Sequence, residues 1–271
     1  MPKLSNTFNP EFWIDHKNEK INPYISVDSV VFGFDLKELK VLLVDRILFT
    51  PDNEHIIFQD QSLPGNHCRD DENTDQAVRR ILKELTGLTD VHLEQFAAFG
   101  DLDRLKKERD QIWLKSIGKD PDVRVLTVAY YALVAVDKIY IDQDAWKSLP
   151  GWYGKKPRWY GIHDLPDLAF DHKEIIFAAF DFLKEKVVTQ PIIFKLLPGK
   201  FTLSQLQKIY EVVLDTRLDK RNFRKKITNA NFIIPLKQKQ VGVSHKPAQL
   251  YRFDQKKFDK RAKNLFNLCR F

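Results

Sequence analysis

The strongest constraint on the fold is the stretch at 201–227, which reads FTLSQLQKIYEVVLDTRLDKRNFRKKI. Thr202 is followed three residues later by Gln205, the spacing of a capping box at a helix start. The apolar residues that follow recur every three or four positions, as on one face of a helix. After a short turn, the Asp219 carboxylate suits the N-terminus of a second helix. The stretch therefore predicts two short helices joined by a tight turn.

The second of these helices is strongly basic. Phe223 and Ile227 lie four residues apart and predict a buried face, while Lys and Arg occupy the other sides. Two strands are predicted next, at 232–236 and 248–253, around a polar, basic loop that contains Gly242. A helix-turn-helix followed by a basic hairpin is typical of a winged helix, which places its second helix in the major groove of DNA.

The charge of the chain is divided in the same way. Residues 191–271 contain 19 Lys and Arg against 5 Asp and Glu, and residues 1–190 contain 25 against 32, so the net charges are +14 and −7. A basic terminal domain is the usual electrostatic footprint of nucleic-acid binding. A solvated basic tail is the alternative, but the periodic apolar residues favour a folded domain.

The basic region supplies two kinds of predicted DNA contact. Arginine and asparagine side chains of the second helix can bond base edges bidentately, whereas a lysine ammonium is a point charge that suits phosphates. The alternative is that these residues only keep a surface helix soluble. The predicted DNA-binding residues are Thr202, Ser204, Lys220, Arg221, Asn222, Arg224, Lys225, His245 and Lys246.

The acidic part of the chain predicts several strands and two helices. Alternating or apolar runs rich in β-branched residues indicate strands at 25–34, 39–46, 91–100 and 123–136. One helix is expected from Thr74 to Thr86, with Asn73 or Thr74 as its N-cap and Gly87 after its end. A second is expected at 171–188, behind Asp171. The apolar face of the first helix consists of Ala77, Ile81, Leu82 and Leu85.

The segment LPGNHCRDDENTDQAVRRILKELTGL, residues 63–88, resembles a Nudix box. That box is a Gly, five residues, a Glu, seven residues, then Arg-Glu-apolar-x-Glu-Glu-x-Gly-apolar. In an active family member the glutamates of its helix hold Mg²⁺ beside a diphosphate, because Mg²⁺ takes oxygen ligands.

This chain departs from the box at its metal-binding positions. Asn66 stands at the box glycine, although Gly65 precedes it, and Ile81 and Leu85 replace two helix glutamates. The positions that match are Glu72, Arg80, Glu84, Gly87 and Leu88. One carboxylate from the helix is a poor Mg²⁺ site, so we expect no catalytic residue, no metal and no cofactor. If some hydrolysis persists, Glu72 and Glu84, with Asp70 and Asp71 nearby, are the expected Mg²⁺ ligands.

From about residue 22 to 257 the chain resembles the Nudix-related transcriptional regulators of bacteria. The resemblance implies an α+β protein, a Nudix α/β/α sandwich followed by a winged helix-turn-helix domain. In that family the Nudix domain senses a small molecule and the winged helix binds double-stranded operator DNA as a homodimer. One branch responds to ADP-ribose and controls NAD metabolism, and another responds to a sugar such as arabinose. The resemblance therefore implies a ligand-responsive DNA-binding regulator that is not an enzyme.

The resemblance and the charge distribution together predict four segments. They are an N-terminal extension at 1–21, a Nudix-like effector domain at 22–168, a connecting helix at 169–190 and a winged helix at 191–271. No stretch approaches the roughly 20 apolar residues of a membrane span. Two distant cysteines fit a reducing compartment. A cytoplasmic, nucleoid-associated protein without membrane contact is expected.

Candidate effector contacts follow from the Nudix frame. Arginines are expected to meet anionic groups, and glutamates to accept hydrogen bonds from sugar hydroxyls. The alternative for Arg80 and Glu84 is a simple helix-surface pair, because they lie four residues apart. The predicted ligand-binding residues are Arg46, Glu72, Arg80, Glu84, Arg104 and Arg124.

Two long inserts, at 104–122 and 142–160, interrupt the predicted domain. Long loops in compact domains are often functional, and these are equally compatible with oligomer contacts or with decoration. The first is expected to be a loop or short helix that exposes Trp113. Two other functions stay open from the sequence alone: a Nudix hydrolase acting on a nucleoside diphosphate derivative, and an adaptor whose basic domain binds an acidic protein.

Overall fold

A computed structural model describes residues 14–15, 17–50, 54–136, 157–242, 244 and 246–262. They form two compact units. The first holds the described residues up to 31, Leu42–Ala132 and residues 157–177, and the second holds Phe32–Val41, residues 133–136 and the described residues from 178 onward. None of the described helices is both long enough and apolar enough to cross a bilayer.

The acidic part is built on a seven-stranded sheet. The strand order is β3-β2-β1-β6-β5, with β4 paired to β1 and β7 paired to β2. The strands predicted at 25–34 and 39–46 are present and form a hairpin, β1–β2, with Phe34 opposite Leu39. The strands are β1 Ile21–Phe34, β2 Leu39–Phe49, β3 Ile56–Ser62, β4 Gly65–Arg69, β5 Leu93–Phe99, β6 Leu126–Ala135 and β7 Pro157–Gly161.

The helix of the Nudix-like box, α1, spans Thr74–Thr86, as predicted. Asn73 is its N-cap and forms a capping box with Gln76, and Gly87 follows it with a φ of 73° in the left-handed region. All four residues of the predicted apolar face, Ala77, Ile81, Leu82 and Leu85, are buried. The box therefore keeps its strand-loop-helix frame.

The first insert contains a helix, α2, at Glu108–Ser116. The prediction that Trp113 is exposed was wrong, because only 3% of it is accessible. Its ring lies edge-on to Phe58 at a centroid distance of 6.2 Å, so the insert packs onto the sheet through this side chain. Of the second insert, the structure describes only residues 157–160.

The predicted helix near 171–188 is α3, at His172–Thr189. Its apolar residues recur at helical spacing and are buried: Ile175, Ile176, Ala179, Phe180 and Leu183. A 3-10 helix, Pro191–Leu196, follows it. The limits of the four predicted segments remain predictions.

The basic part contains the predicted helix-turn-helix and hairpin. The helices α4, Leu203–Val213, and α5, Lys220–Thr228, precede the antiparallel strands β8, Ile233–Lys239, and β9, Gln249–Phe253. Backbone hydrogen bonds between Phe201 and Tyr251 add a short third strand segment to this hairpin. A last helix, α6 at Gln255–Ala262, was not predicted.

Candidate ligand cavity and nucleic-acid interface

The first compact unit contains a cavity of about 90 Å³ that is partly open to solvent. Its wall comes from the strands β1, β2 and β4, the β3–β4 turn, the first insert and the start of α3. Apolar residues of the insert form one side of it, among them Leu105, Trp113 and Leu114. The first insert is therefore part of the cavity wall. The polar and charged lining residues are Ser26, Asp28, Arg46, Ser62, Asn66, His67, Arg104, Lys119 and His172.

Arg46 lines this cavity from β2 and is only 1% exposed. Its Nε and Nη2 donate to Asp60 at 2.7 and 2.5 Å, and Nη2 also donates to Asp110 at 2.5 Å. The guanidinium lies 4.9 to 5.4 Å from the ring centroids of Phe58, Trp113 and Phe170, within cation–π range. Among the described residues, none accepts a hydrogen bond from Nη1.

The buried carboxyl of Asp28 lines the cavity from β1. It accepts a 2.6 Å hydrogen bond from the Thr127 hydroxyl, and the His172 Nε2 lies 3.5 Å away. Burial raises the pKa of Asp28, against the influence of Arg104 at 3.8 Å. Gly65 packs directly against this carboxyl, since a Cβ at that position would meet the Asp28 Oδ1 at 1.8 Å. The first residue of β4 must therefore be a glycine for the chain to pass Asp28.

Arg104 is held in place by the start of α3. Its Nε and Nη2 donate to the two carboxylate oxygens of Asp171, both at 2.9 Å, and its Nη1 donates to the Val125 carbonyl at 3.3 Å. The neighbouring His172 accepts the Leu63 backbone N–H at its Nδ1, at 3.0 Å. Burial lowers the pKa of His172 to about 3, so this imidazole is neutral near pH 7.

A second basic group reaches the cavity from the end of the insert. The Lys119 Nζ donates to the Asn66 side-chain oxygen at 3.2 Å, and burial lowers the pKa of Lys119 to about 7. His67 lies beside it and bonds the Asn22 carbonyl through Nδ1 at 2.9 Å. Burial, and then the charge of Lys119, hold the pKa of His67 well below its usual value.

The carboxylates that remain from the Nudix-like box are engaged in ion pairs. Glu72 accepts hydrogen bonds from Arg80, with Nε at 2.9 Å, and from the Arg69 backbone N–H at 2.8 Å. Glu84 contacts Arg80 at 3.1 Å and the Lys17 ammonium at 2.6 Å. The hydrogen bonds from Arg80 lower the pKa of Glu72 against the effect of its burial.

A short N-terminal turn closes this ion-pair network. The Asp15 carboxylate accepts hydrogen bonds from the Arg69 guanidinium at 2.6 and 2.8 Å, and from the backbone N–H of Lys17 and Glu19. Lys17, Arg69 and Arg80 thus place three cations beside Glu72 and Glu84, where an active Nudix box holds a metal ion.

These residues do not fit a Mg²⁺ site. Ile81 and Leu85, at the positions of two box glutamates, are 2% and 3% exposed and belong to the apolar core. In the part of the chain that the structure describes, no three His, Cys, Asp or Glu side chains are grouped to hold a metal. A Mg²⁺ ion would have to displace guanidinium and ammonium groups from both remaining glutamates.

The six predicted ligand-binding residues do not form one cluster. Arg46 and Arg104 line the cavity, whereas Glu72, Arg80 and Glu84 belong to the ion-pair network and do not. Arg124 is exposed and donates to the Gly100 carbonyl at 3.2 Å. The prediction missed Asp28, His67, Lys119 and His172. Of these, Asp28 carried a signal, since it is a carboxylate inside the apolar strand ISVDSVVFGF.

In the basic part, the turn between α4 and α5 is fixed by side chains. Gln207 donates to the Leu218 carbonyl at 2.9 Å, and the Leu218 N–H donates to Glu211 at 3.0 Å. The rings of Tyr210 and Phe223 meet edge-on at 5.9 Å. The Asp219 carboxylate caps α5 by accepting the Asn222 N–H at 2.8 Å, as predicted. The orientation of α5 on α4 is therefore set by short contacts.

This arrangement presents one basic helix face to solvent. Phe223 and Ile227 are buried, and the predicted DNA-binding residues of α5 are all exposed. Ser204 is exposed beside Arg224, 3.4 Å from its guanidinium, whereas Thr202 is buried and caps α4. Lys246 is exposed in the hairpin loop, and His245 lies outside the described residues. The predicted DNA-binding residues that are exposed on α5 are Lys220, Arg221, Asn222, Arg224 and Lys225.

Comparisons with known proteins agree with this two-part architecture. Residues 193–253 match the family model of the NrtR DNA-binding winged helix domain. The ADPR responsive transcriptional repressor NtrR of Acinetobacter baylyi is 29% identical over 247 residues, which cover 90% of this chain and 87% of that protein.

Two crystal structures share the fold. Shewanella oneidensis NrtR complexed with a 27mer DNA is 27% identical, with a TM-score of 0.63 over 87% of this chain and 95% of that one. A MutT/nudix family protein from Enterococcus faecalis is 23% identical, with a TM-score of 0.60 over 86% of each chain, which bears on the fold alone. The predicted α+β fold is confirmed, and the chain has the architecture of the NrtR-like, Nudix-related transcriptional regulators, a Nudix domain followed by a winged helix.

Proposed function

We propose that this chain is a ligand-responsive transcriptional regulator. Its winged helix binds double-stranded operator DNA, and its Nudix domain binds a small-molecule effector. The observation that carries the proposal is the exposed, basic face of α5 in a segment that matches the NrtR winged helix domain. DNA binding by α5 is expected to use arginine and asparagine for base edges and lysine for phosphates.

DNA binding is tested with duplexes from upstream of the protein's own operon. Arg221→Ala combined with Arg224→Ala should weaken binding by about 1–3 kcal/mol for each base-reading side chain lost. The control Lys83→Ala combined with Lys115→Ala removes the same charge from exposed positions of the Nudix domain. Binding that does not fall with rising salt, or that responds equally to both double variants, contradicts the proposal, because phosphate contacts release counterions.

The first candidate effector is ADP-ribose. It is proposed because the Acinetobacter baylyi relative is named as ADPR responsive. A sugar is the second candidate, favoured by the cavity volume of about 90 Å³. Sites for larger ligands typically measure about 300–1,000 Å³. A thermal-shift screen with ADP-ribose, NAD precursors and pentoses discriminates, because a ligand that binds the native state raises the melting temperature.

We also propose that the Nudix domain hydrolyses nucleoside diphosphate derivatives little or not at all. The support is chemical: Glu72 and Glu84 are paired with cations, and Ile81 and Leu85 are apolar. A Mg²⁺-dependent turnover assay over a nucleotide panel tests this. Robust turnover that Glu84→Gln abolishes would establish the chain as a hydrolase.

The working form is proposed to be a cytoplasmic homodimer at the nucleoid. Two copies of the winged helix would read half-sites separated by one helical turn of DNA or a multiple of it. Light scattering on the purified protein, alone and with operator DNA, measures the stoichiometry. One chain per full palindromic site at saturation contradicts the dimer.

A further inference from the structure

We propose that the cavity of the Nudix domain accepts a compact sugar acid, a polyhydroxylated molecule that carries one carboxylate. This inference rests on the proposed effector-binding function and names the chemical class of the effector. It is independent of DNA binding, which is measured separately.

The size of the cavity limits its occupant. One water molecule needs about 10–15 Å³ of cavity volume. A cavity of about 90 Å³ therefore holds a molecule of monosaccharide size. A dinucleotide-like molecule such as ADP-ribose would have to extend beyond it into solvent. The walls include buried residues of the β3–β4 turn and the insert, among them Leu63 and Trp113, which limits adjustment of its size.

The charges of the wall favour an anionic group. Three basic side chains, Arg46, Arg104 and Lys119, line the cavity, against the single carboxyl of Asp28. The aspartates that pair with the two arginines are not part of the lining: they are Asp60, Asp110 and Asp171. The positive sides of these ion pairs therefore border the cavity.

Arg46 provides the independent observation. Its guanidinium is buried, and its Nε and Nη2 donate three hydrogen bonds to Asp60 and Asp110. Its Nη1 has no acceptor among the described residues, and an unmade hydrogen bond by a buried charged donor is costly. A carboxylate oxygen in the cavity would supply that acceptor.

The remaining lining groups suit hydroxyls and a sugar ring. Ser26, Ser62 and Asn66 can exchange hydrogen bonds with hydroxyls, and Asp28 can accept them. The rings of Trp113 and Phe170 offer apolar surface for the C–H face of a sugar. The wall therefore combines cations for a carboxylate with polar and aromatic groups for its carbon frame.

The test uses two probes that differ at one carbon. D-Galacturonate carries a carboxylate where D-galactose carries a hydroxymethyl group. With the full-length protein, galacturonate should raise the melting temperature, and galactose should bind at least about tenfold more weakly, because a charge-assisted hydrogen bond is lost. Calorimetric titration gives the two dissociation constants.

Variants locate the site. Lys119→Met should weaken galacturonate binding about tenfold or more, and Lys119→Arg should retain much of it because the charge stays. Lys115→Met is the matched control, since Lys115 is exposed on the same insert and does not line the cavity. The melting temperature of each ligand-free variant reports whether its fold is intact.

Three outcomes overturn the inference. Equal binding of galactose and galacturonate makes the effector a neutral sugar. If only ADP-ribose binds, and Lys119→Met does not change its affinity, the effector site lies outside this cavity. Absence of galacturonate binding overturns it as well. Operator binding is measured on the same protein in each case. If it is present and depends on salt, the proposed regulator function is supported whatever the sugar result. If it is absent, the regulator function is contradicted independently.

Discussion

At the scale of single residues, Arg46 holds the first insert on the sheet. It binds Asp60 on β3 and Asp110 on α2, and Asp110 also accepts the Phe170 backbone N–H at 2.9 Å. All three charged groups are at most 1% exposed. Removing Asp110 leaves the buried Arg46 guanidinium with one carboxylate partner fewer, and breaking a buried ion pair costs more than the intact pair contributes.

Asp110→Ala should lower the free energy of unfolding by about 1–3 kcal/mol, the cost of leaving a buried polar group without its hydrogen-bond partner. It leaves the Arg46 guanidinium with Asp60 as its remaining carboxylate partner and deprives the Phe170 N–H of its acceptor. Urea unfolding of the two proteins measures the difference. The control Asp103→Ala, at an exposed position just before the insert, should change stability by less than about 0.5 kcal/mol. A loss below 1 kcal/mol for Asp110→Ala would show that the network contributes little.

His172 should make stability depend on pH. Its pKa is lowered by burial to about 3 in the folded chain, against about 6.5 when unfolded. The contribution of His172 to the free energy of unfolding is greatest above about pH 6.5. It falls as the pH drops toward 3, because in this range only the unfolded chain takes up the proton. The slope is about 1.4 kcal/mol per pH unit. The raised pKa of Asp28 acts in the opposite direction at the acidic end.

His172→Asn should reduce that slope, since Asn offers an oxygen to the Leu63 N–H and does not titrate. Urea unfolding between pH 6 and 4.5 should give a dependence weaker by up to about 1.4 kcal/mol per pH unit. The exposed His92→Asn is the matched control and should keep the slope of the parent protein. Identical slopes for all three proteins would remove His172 as the cause.

At the scale of elements, α5 depends on its cap. Asp219→Ala should cost about 1 kcal/mol of stability and weaken operator binding, because the first turn of α5 frays where Arg221 and Asn222 lie. Asp219→Asn is the control, since asparagine also caps helices well. Unfolding and fluorescence anisotropy with labelled operator DNA measure both effects. If the Ala and Asn variants bind DNA with equal affinity, the cap of α5 does not contribute to DNA recognition.

The sequence predicted those elements whose signals are local. Asn73 with Gly87, and Thr202 with Asp219, mark helix ends within a few residues, and the structure confirms the helices. The burial of Trp113 escaped prediction because its partners lie elsewhere in the chain. The site was predicted least well for the same reason: Asp28 meets Thr127 across 99 positions.

At the scale of the whole molecule, the uneven charge matches the two proposed functions, DNA binding and effector binding. The net charge of +14 lies in residues 191–271, which include the winged helix, and the net −7 lies in the residues before it. A basic domain attracts DNA over a distance set by the salt concentration, whereas an acidic domain avoids nonspecific contact with phosphates. Specific regulation then requires that ligand binding and DNA binding influence each other.

Linkage makes that influence reciprocal. If a saturating effector changes the dissociation constant of operator DNA by some factor, saturating operator DNA must change that of the effector by the same factor, typically about 5- to 150-fold. Anisotropy with labelled DNA measures the first factor and calorimetric titration the second, with whichever probe binds the protein. Arg221→Ala combined with Arg224→Ala should keep effector affinity in the absence of DNA. If both ratios of dissociation constants equal one, the Nudix domain binds its ligand without changing DNA binding. That result would contradict a ligand-responsive regulator.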